Sequence, residues 1–385
     1  MITWPTNRIG DIAEVKGGKR LPAGKLVQDE PTPYRYIRVT DFTPDGLDRA
    51  KVKYLDEESQ FKITRYIITD RDVYISIAGT IGLVGIVPPD FSGANLTENA
   101  AKICEIQSKV EPQFLMYYLR TKHGQAQVAS LTVGTSQPKL ALFRIKDIEV
   151  PCPALPVQRR IADILSAYEE FMDNSQRRIW ILEAMARALY REWFVHFRFP
   201  GHEKHPRVAS PLGDIPQGWE VKKLGEVLEF NYGKALKQED RSGGDVPVFG
   251  SSGIVGQHDT ALVKGPGIIV GRKGNVGSVF WCVEDFFVID TAYFVTSSLP
   301  LRFLFYVLPT LNFLNSDAAV PGLSRNQAYT LEVLLPPVAL LKKFCDLADT
   351  FERQASTLQR QIQNLRRTRD LLLPRLLSGQ VALEA

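Results

Sequence analysis

The sequence predicts an α+β fold with an internal two-fold repeat. Two mixed α/β domains alternate with two long helices, and the helices pair as an antiparallel coiled coil. Three observations predict it: the chain opens twice, its landmarks recur in order, and each half closes on a heptad-spaced helix. The second opening, GWEVKKLGEV at 218–227, restates TWPTNRIGDI at 3–12. Trp4, Ile9, Gly10, Asp11 and Ile12 fall opposite Trp219, Leu224, Gly225, Glu226 and Val227 at a shift of 215 residues. GTIGLVG at 79–85 then matches GRKGNVG at 271–277 at a shift of 192, where Glu98, Asn99 and Ala100 also meet Asp290, Thr291 and Ala292. FLMYYL from Phe114 matches RFLFYVL from Arg302 at 188, with Gly134 and Ser136 against Gly322 and Ser324. EVPCPALP from Glu149 follows at 185, and ADILSAYEE from Ala162 lies against CDLADTFER at 183. A shift that falls steadily marks one duplicated unit whose surface loops have gained or lost residues.

Taken in order, residues 1–153 form the first mixed domain. The β-rich run DVYISIAG enters the glycine segment and GLVGIV leaves it, so strand, glycine turn, strand is predicted. GIIVGR and GSVFWCV repeat the pattern in the second copy. A phosphate loop is the alternative for three spaced glycines. GRKGNVG lacks the G-K-[ST] ending, and no helix pattern follows it. Residues 154–197 form the first long helix. Its apolar seam runs Ile161, Leu165, Tyr168, Met172, Ser175, Ile179, Leu182, Ala186, Leu189 and Trp193, alternating steps of four and three. Residues 198–217 are rich in Pro, Gly and His without an apolar period, and read as a linker. His202 and His205 there are too few for a metal site.

Residues 218–336 form the second domain, and 337–385 the second long helix with a C-terminal tail. Its seam is Phe344, Ala348, Phe351, Ala355, Leu358, Ile362, Leu365, Arg369, Leu372 and Leu376, with Arg369 the break. Pro156 and Pro337 mark the two helix starts, where proline fits a first turn. Pro374 is expected to bend or end the second helix. A helix of ~38 residues is about 57 Å long. Two such helices with a domain between them can close on each other as an antiparallel pair.

Composition narrows the class. Of 385 residues, 44% are hydrophobic and 23% charged, which is globular rather than disordered. The net charge of +4 permits nucleic-acid binding without demanding it. Cys104, Cys152, Cys282 and Cys345 are far apart, so neither a zinc site nor a disulfide framework is expected. The start MITWPTNR lacks an apolar signal core, which predicts a soluble cytoplasmic protein. The first helix balances six Arg against six acids, so it is not a basic zipper.

The order domain, long helix, domain, long helix resembles the specificity subunit of type I restriction–modification systems. The strings PALPVQRRIADIL, FVHFRFPG, PQGWEVKKLGEV and LLLPRLLSGQV carry the likeness across essentially the whole chain. The second helix departs in opening with PPVALLKKF, without the glutamine that stands at Gln158 in the first, and this predicts a looser helix start. The resemblance implies that each domain is a target-recognition domain for one half of a bipartite site in double-stranded DNA; the neutral hairpin GTIGLVG against GRKGNVG, which presents Arg272, Lys273 and Asn275, predicts that the halves differ and the site is asymmetric. The resemblance also implies that the helices set the spacing and dock two modification subunits, which methylate adenine with S-adenosylmethionine. A restriction or translocase subunit can join. The chain itself is then not an enzyme and holds no metal or cofactor. The residues agree: the only Pro-Pro pairs sit in VPPD and LLPPV, not in the N/D-P-P-Y/F loop that grips a flipped adenine. A protein–protein scaffold with two repeated binding domains and no DNA role is the alternative.

Readout needs side chains that reach base edges, with others holding phosphates. In the first domain the candidates are Lys19, Arg20 and Lys25, Arg38 and Thr40, Thr80 in the glycine hairpin, and Ser136, Gln137 and Lys139. In the second they are Lys234 and Lys237, Ser251 and Ser252, Arg272, Lys273 and Asn275 in the hairpin, and Ser324, Arg325 and Asn326. Tyr34, Tyr36, Tyr232 and Phe249 lie nearby and read as core.

Overall fold

In the computed structural model, which describes residues 4–134, 136–313 and 322–380, the apolar run VYIS forms the strand Val73–Ser76, buried along its whole length. An uninterrupted apolar strand suits the middle of a sheet covered on both faces. It lies between Ala100–Cys104 and Val84–Ile86, and Glu14–Gly17 completes an antiparallel sheet. Gly267–Gly271 occupies the same place in the second half, in a sheet ordered Glu229–Tyr232, Ala292–Thr296, Gly267–Gly271, Val279–Cys282. Both glycine segments are therefore hairpin turns, as expected. A smaller sheet flanks each, built on a parallel pair: Arg35–Ile37 with Ala94–Leu96, and Val246–Gly250 with Phe287–Val288.

Backbone hydrogen bonds fix how the copies correspond. Ser76 donates to Leu83 and Gly82 to Ser76; Gly271 donates to Ser278 and Gly277 to Gly271. The left-handed residues are Gly79 and Gly82 in one turn and Gly274 and Gly277 in the other. The hairpins thus match at a shift of 195, not 192. The glycines recur every three residues, so a slip of three still sets glycine on glycine. Leu140 donates to Ile77 as Leu323 does to Arg272, and Ile9 to Ile148 as Leu224 does to Leu331. From Lys139, which bridges Ala78 as Gly322 bridges Lys273, the shift is 183. Gly322 and Ser324 therefore answer to Lys139 and Ala141 rather than to Gly134 and Ser136, and 183 replaces the expected 185 for the following strand. The opening at 215 and Glu98–Ala100 at 192 hold. The largest step falls from 212, where Ile37 matches Phe249, to 195 at the hairpin.

The chain folds as two compact units, 1–174 with 361–385, and 175–360. In the first, the helix Pro112–Arg120 buries Phe114, Leu115 and Leu119 among the sheet residues Val73, Ile75 and Ile103. Ile161 and Leu165 of the first long helix share that core with Leu376 and Leu377 of the second. Each such burial stabilises by roughly 1.5–3 kcal/mol. The second unit's core is aromatic: Tyr190, Trp193, Phe194, Phe303 and Phe344 pack with Leu341 and Ala348.

The long helices are Leu155–Tyr190, carried on by a helical turn Arg191–Val195, and Val338–Leu377. Every seam residue named above is buried or half-buried. The second helix does not stop at Pro374 but runs through it to Leu377. A proline this close to the end removes one backbone bond, and Leu376 and Leu377 beyond it are buried. Arg369 does not break the seam either. It pairs with Asp45 (3.1 Å) and Glu169 (3.6 Å). Glu169 also accepts from Tyr117 Oη (2.9 Å) and Arg120 Nη1 (3.0 Å), while burial pushes its carboxyl above the usual range.

Gln158 ties down the first helix start. It accepts from the Glu111 amide and donates to the carbonyls of Pro153 and Lys109. Leu341 stands at the matching place in the second helix and is buried in the core, so apolar packing replaces the bonds where a looser start was expected. The stretch 198–217 carries a short hairpin, Arg207–Val208 with Ile215–Pro216. Phe199 and Ile215 are buried beside Trp219. No helix among the described residues is long and apolar enough to cross a membrane, and none of their His, Cys, Asp and Glu groups could hold a metal.

Candidate nucleic-acid interface

Each unit brings its candidate loops together at the glycine-hairpin end of the main sheet. In the first unit the chain turns at Gly18, where an added Cβ would collide with the carbonyls of Leu96 and Thr97. This close approach lets Lys19 donate to the Leu96 carbonyl and sets Lys19 and Arg20 beside residues 97–99. Arg20, Lys25, Arg38 and Thr40 line one cleft there with Glu98. Thr80 sits exposed at the hairpin tip, and Lys139 forms backbone bridges to Ala78 and Val133. Ser136 and Gln137 are exposed in the same loop.

Carboxylates close most of these cations. Arg20 Nε lies 2.7 Å from Glu98 Oε1, Lys25 Nζ pairs with Glu58 (2.6 Å) and Asp56 (3.2 Å), and Arg38 pairs with buried Asp41 (2.8 Å). Thr40 Oγ1 also donates to Asp41. Burial pushes the Glu98 carboxyl up, but the Arg20, Thr97 and backbone donors outweigh it and hold it below the usual range. Lys25 is held above the ordinary lysine range by its bonds to Glu58 and Asp56.

The second unit builds the same corner with different chemistry. Gly233 repeats Gly18, its position closed by the carbonyls of Val288 and Ile289. Arg272 and Lys273 donate through their backbone to the Thr291 carbonyl, and Lys273 bridges Gly322. This places the hairpin against Ser324, Arg325 and Asn326 in a cleft of about 380 Å³. Lys273 Nζ is 4.0 Å from Asp290, the counterpart of Glu98. Ser324 caps the short helix Arg325–Tyr329 by accepting from the Gln327 amide. Ser251 is buried, its carbonyl accepting from Ser278 Oγ, while Ser252 and Asn275 are exposed. Lys234 is exposed on the adjoining loop, and Lys237 pairs with Glu239 (3.5 Å).

Tyr232 departs from its reading as core and lies in this cluster. Tyr36 and Phe249 are core as expected, but Tyr232 is 49% exposed. Arg272 and Arg325 stand over its ring, with Cζ 4.9 and 5.2 Å from the centroid. Its counterpart in the first copy is Gly17, so the available signal was an aromatic present in one copy only. Glu98 and Asp290 were also missed; the signal there was an acid at matched positions one residue before the hairpin's backbone partners Asn99 and Thr291.

Residues 1–184 and 216–365 match the family described as type I restriction modification DNA specificity domain. The specificity subunit of the type I restriction enzyme MjaIX from Methanocaldococcus jannaschii is 25% identical over 99% of this chain and 94% of its own length. The MjaX specificity subunit of the same organism, assigned to that role provisionally, is 20% identical over 98% and 93%. The crystal structure of a type I restriction–modification S subunit from M. genitalium shares the fold, with a TM-score of 0.63 and 18% identity across 97% of this chain and 96% of that one. Both copies of the repeat fall within the match, and the chain belongs to the type I restriction–modification DNA specificity family.

Proposed function

We propose that this chain is the non-catalytic DNA-recognition subunit of a type I restriction–modification complex. Each globular domain reads one half of a bipartite, asymmetric target in double-stranded DNA. The long helices pair as an antiparallel coiled coil, set the gap between half-sites and dock two modification subunits that use S-adenosylmethionine. Restriction or translocase subunits complete the cutting form. The observation that carries this reading is the family match falling once on each copy of the repeat. The heptad burial of both seams supports the coiled coil. The loop cluster at each hairpin end supplies the donors that base and phosphate contacts need.

The test is to express the chain with its modification subunits and map methylated adenines by sequencing. One asymmetric motif in two parts with a fixed gap is expected. A four-residue insertion in a long helix advances it by about 6 Å and turns it by about 40°, nearly two base pairs at roughly 3.4 Å each. The same half-sites should then appear with a longer gap. An assembled complex that methylates without sequence preference would return the chain to the scaffold alternative. An unchanged gap would remove the helices from spacing.

A further inference from the structure

Three positions that are apolar or bare in the first unit carry arginine or tyrosine in the second, and there they meet. The backbone registers match Tyr232 to Gly17, Arg272 to Ile77 and Arg325 to Leu142. In the first unit, a Cβ on Gly17 would lie 3.4 Å from Leu142 Cδ1, and Ile77 is buried. The same frame thus stands with hydrocarbon at this corner, so folding does not require the polar cluster of the second unit.

We infer that Tyr232 is a positioning residue that holds Arg272 and Arg325 as a two-arginine reader of guanine edges in the second unit's half-site; this rests on the DNA-recognition reading above. A cation over an aromatic ring is held by the ring's electron-rich face. The N–H donors of a planar guanidinium point outward in its own plane, and that fork matches O6 and N7 of guanine. Among the described residues Arg272 donates to the Asp290 carbonyl (3.1 Å) and Arg325 to the Phe230 carbonyl (3.4 Å), Arg272 also meets the Tyr293 hydroxyl, and neither has a carboxylate partner. Arg20 and Arg38 of the first unit are instead closed by Glu98 and Asp41. Tyr293 backs the arrangement, its ring 5.1 Å from Tyr232 and 5.7 Å from Arg272 Cζ.

The experiment uses the full chain assembled with its modification subunits, and a duplex library randomised across both half-sites. Methylation is profiled for wild type, Tyr232→Leu and Tyr232→Phe. Leucine removes the π face while keeping bulk, and should lower the preference for guanine in one half-site by about 3- to 10-fold, the scale of one or two exposed cation–π contacts. Phenylalanine keeps the face and should stay within about 2-fold of wild type. The other half-site should be read as before in both variants, which also reports intact folding and assembly. An unchanged profile for Tyr232→Leu overturns the inference, as does an equal loss for Tyr232→Phe. A uniform loss over all sequences overturns it by making the arginines phosphate contacts. A wild-type complex without sequence preference fails earlier, at the DNA-recognition reading itself.

Discussion

Where the first unit has Gly17, Ile77 and Leu142, the second has Tyr232, Arg272 and Arg325, while the strands beneath keep the same hydrogen-bond pattern. The helix seam shows the same division. Glu169 and Glu352 match at a shift of 183, and each meets an arginine: Arg120 from the end of Pro112–Arg120, Arg302 from the start of Leu301–Val307. The two arginines are not counterparts. Arg302 also pairs with Asp349 (2.8 Å) and lies over Trp281 (3.8 Å), neither of which has an equivalent around Glu169. The comparison teaches that the repeat preserves backbone register and the buried seam, while charge pairing and the hairpin-end surface are solved separately in each copy. A surface free to diverge on a fixed frame is what the proposed reading of unlike half-sites by the two domains requires.

The largest expected difference lies in the cores. Phe344 and Ile161 occupy matched seam positions and both are fully buried. Phe344 meets Phe194 at 5.0 Å and Tyr306 at 5.6 Å between ring centroids, with Tyr190, Trp193 and Phe303 around them. Phe344→Ala should cost about 4–5 kcal/mol and Ile161→Ala about 2–4 kcal/mol, from the volume removed and the limited collapse of a ring cluster. Denaturant unfolding followed by tryptophan fluorescence measures both. A cost for Ile161→Ala equal to or above that for Phe344→Ala would mean the aromatic cluster adds nothing to its unit.

The frame was legible in the sequence to the extent that it is periodic or local. Heptads gave the seam, and every residue in it is buried or half-buried. Glycines between β-rich runs gave both hairpins. The same periodicity concealed the register, because a three-residue glycine repeat cannot distinguish 192 from 195. Pairings between distant residues were out of reach. Glu98 closes Arg20 from 78 residues away, and Asp45 meets Arg369 across 324. Tyr232 was read as core because an aromatic beside a strand usually is, and only the fold shows it half-exposed under two arginines.

Arg369 gives the next sharpest contrast, since its counterpart in the second unit is Ala186, buried without any charge. Its guanidinium side chain is 13% exposed, and Glu169 beside it 23%. Arg369→Met keeps the stem and leaves Glu169 with Arg120 and Tyr117 alone, which should cost about 2–4 kcal/mol. Asp45 is 44% exposed, and Asp45→Asn should cost no more than about 1 kcal/mol, as solvent-exposed pairs do. Thermal unfolding of the two variants side by side tests the ranking. If Arg369→Met melts with wild type, the seam tolerates either solution at this position and the ion cluster is incidental to stability.

Gln158 against Leu341 is the finest difference, with a smaller expected effect than Phe344→Ala or Arg369→Met. Both side chains are buried at the first turn of a long helix, but only the glutamine has neighbours that need it: the Glu111 amide at 2.9 Å and the Pro153 and Lys109 carbonyls at 2.7 and 3.1 Å. Gln158→Leu copies the second unit's choice into the first. The volume fits, so the loss comes from backbone groups left without partners. Lys109 is exposed and water can reach its carbonyl, whereas Pro153 is buried. The expected cost is therefore about 1–2 kcal/mol, at the lower end for unsatisfied buried groups. Amide hydrogen exchange separates this cause from a general loss of packing. The Glu111 amide should exchange faster in Gln158→Leu while amides of the central strand Val73–Ser76 keep their protection. Unchanged protection at Glu111 with wild-type stability would mean that leucine serves both helix starts equally well, and that the glutamine of the first copy answers to something other than the fold.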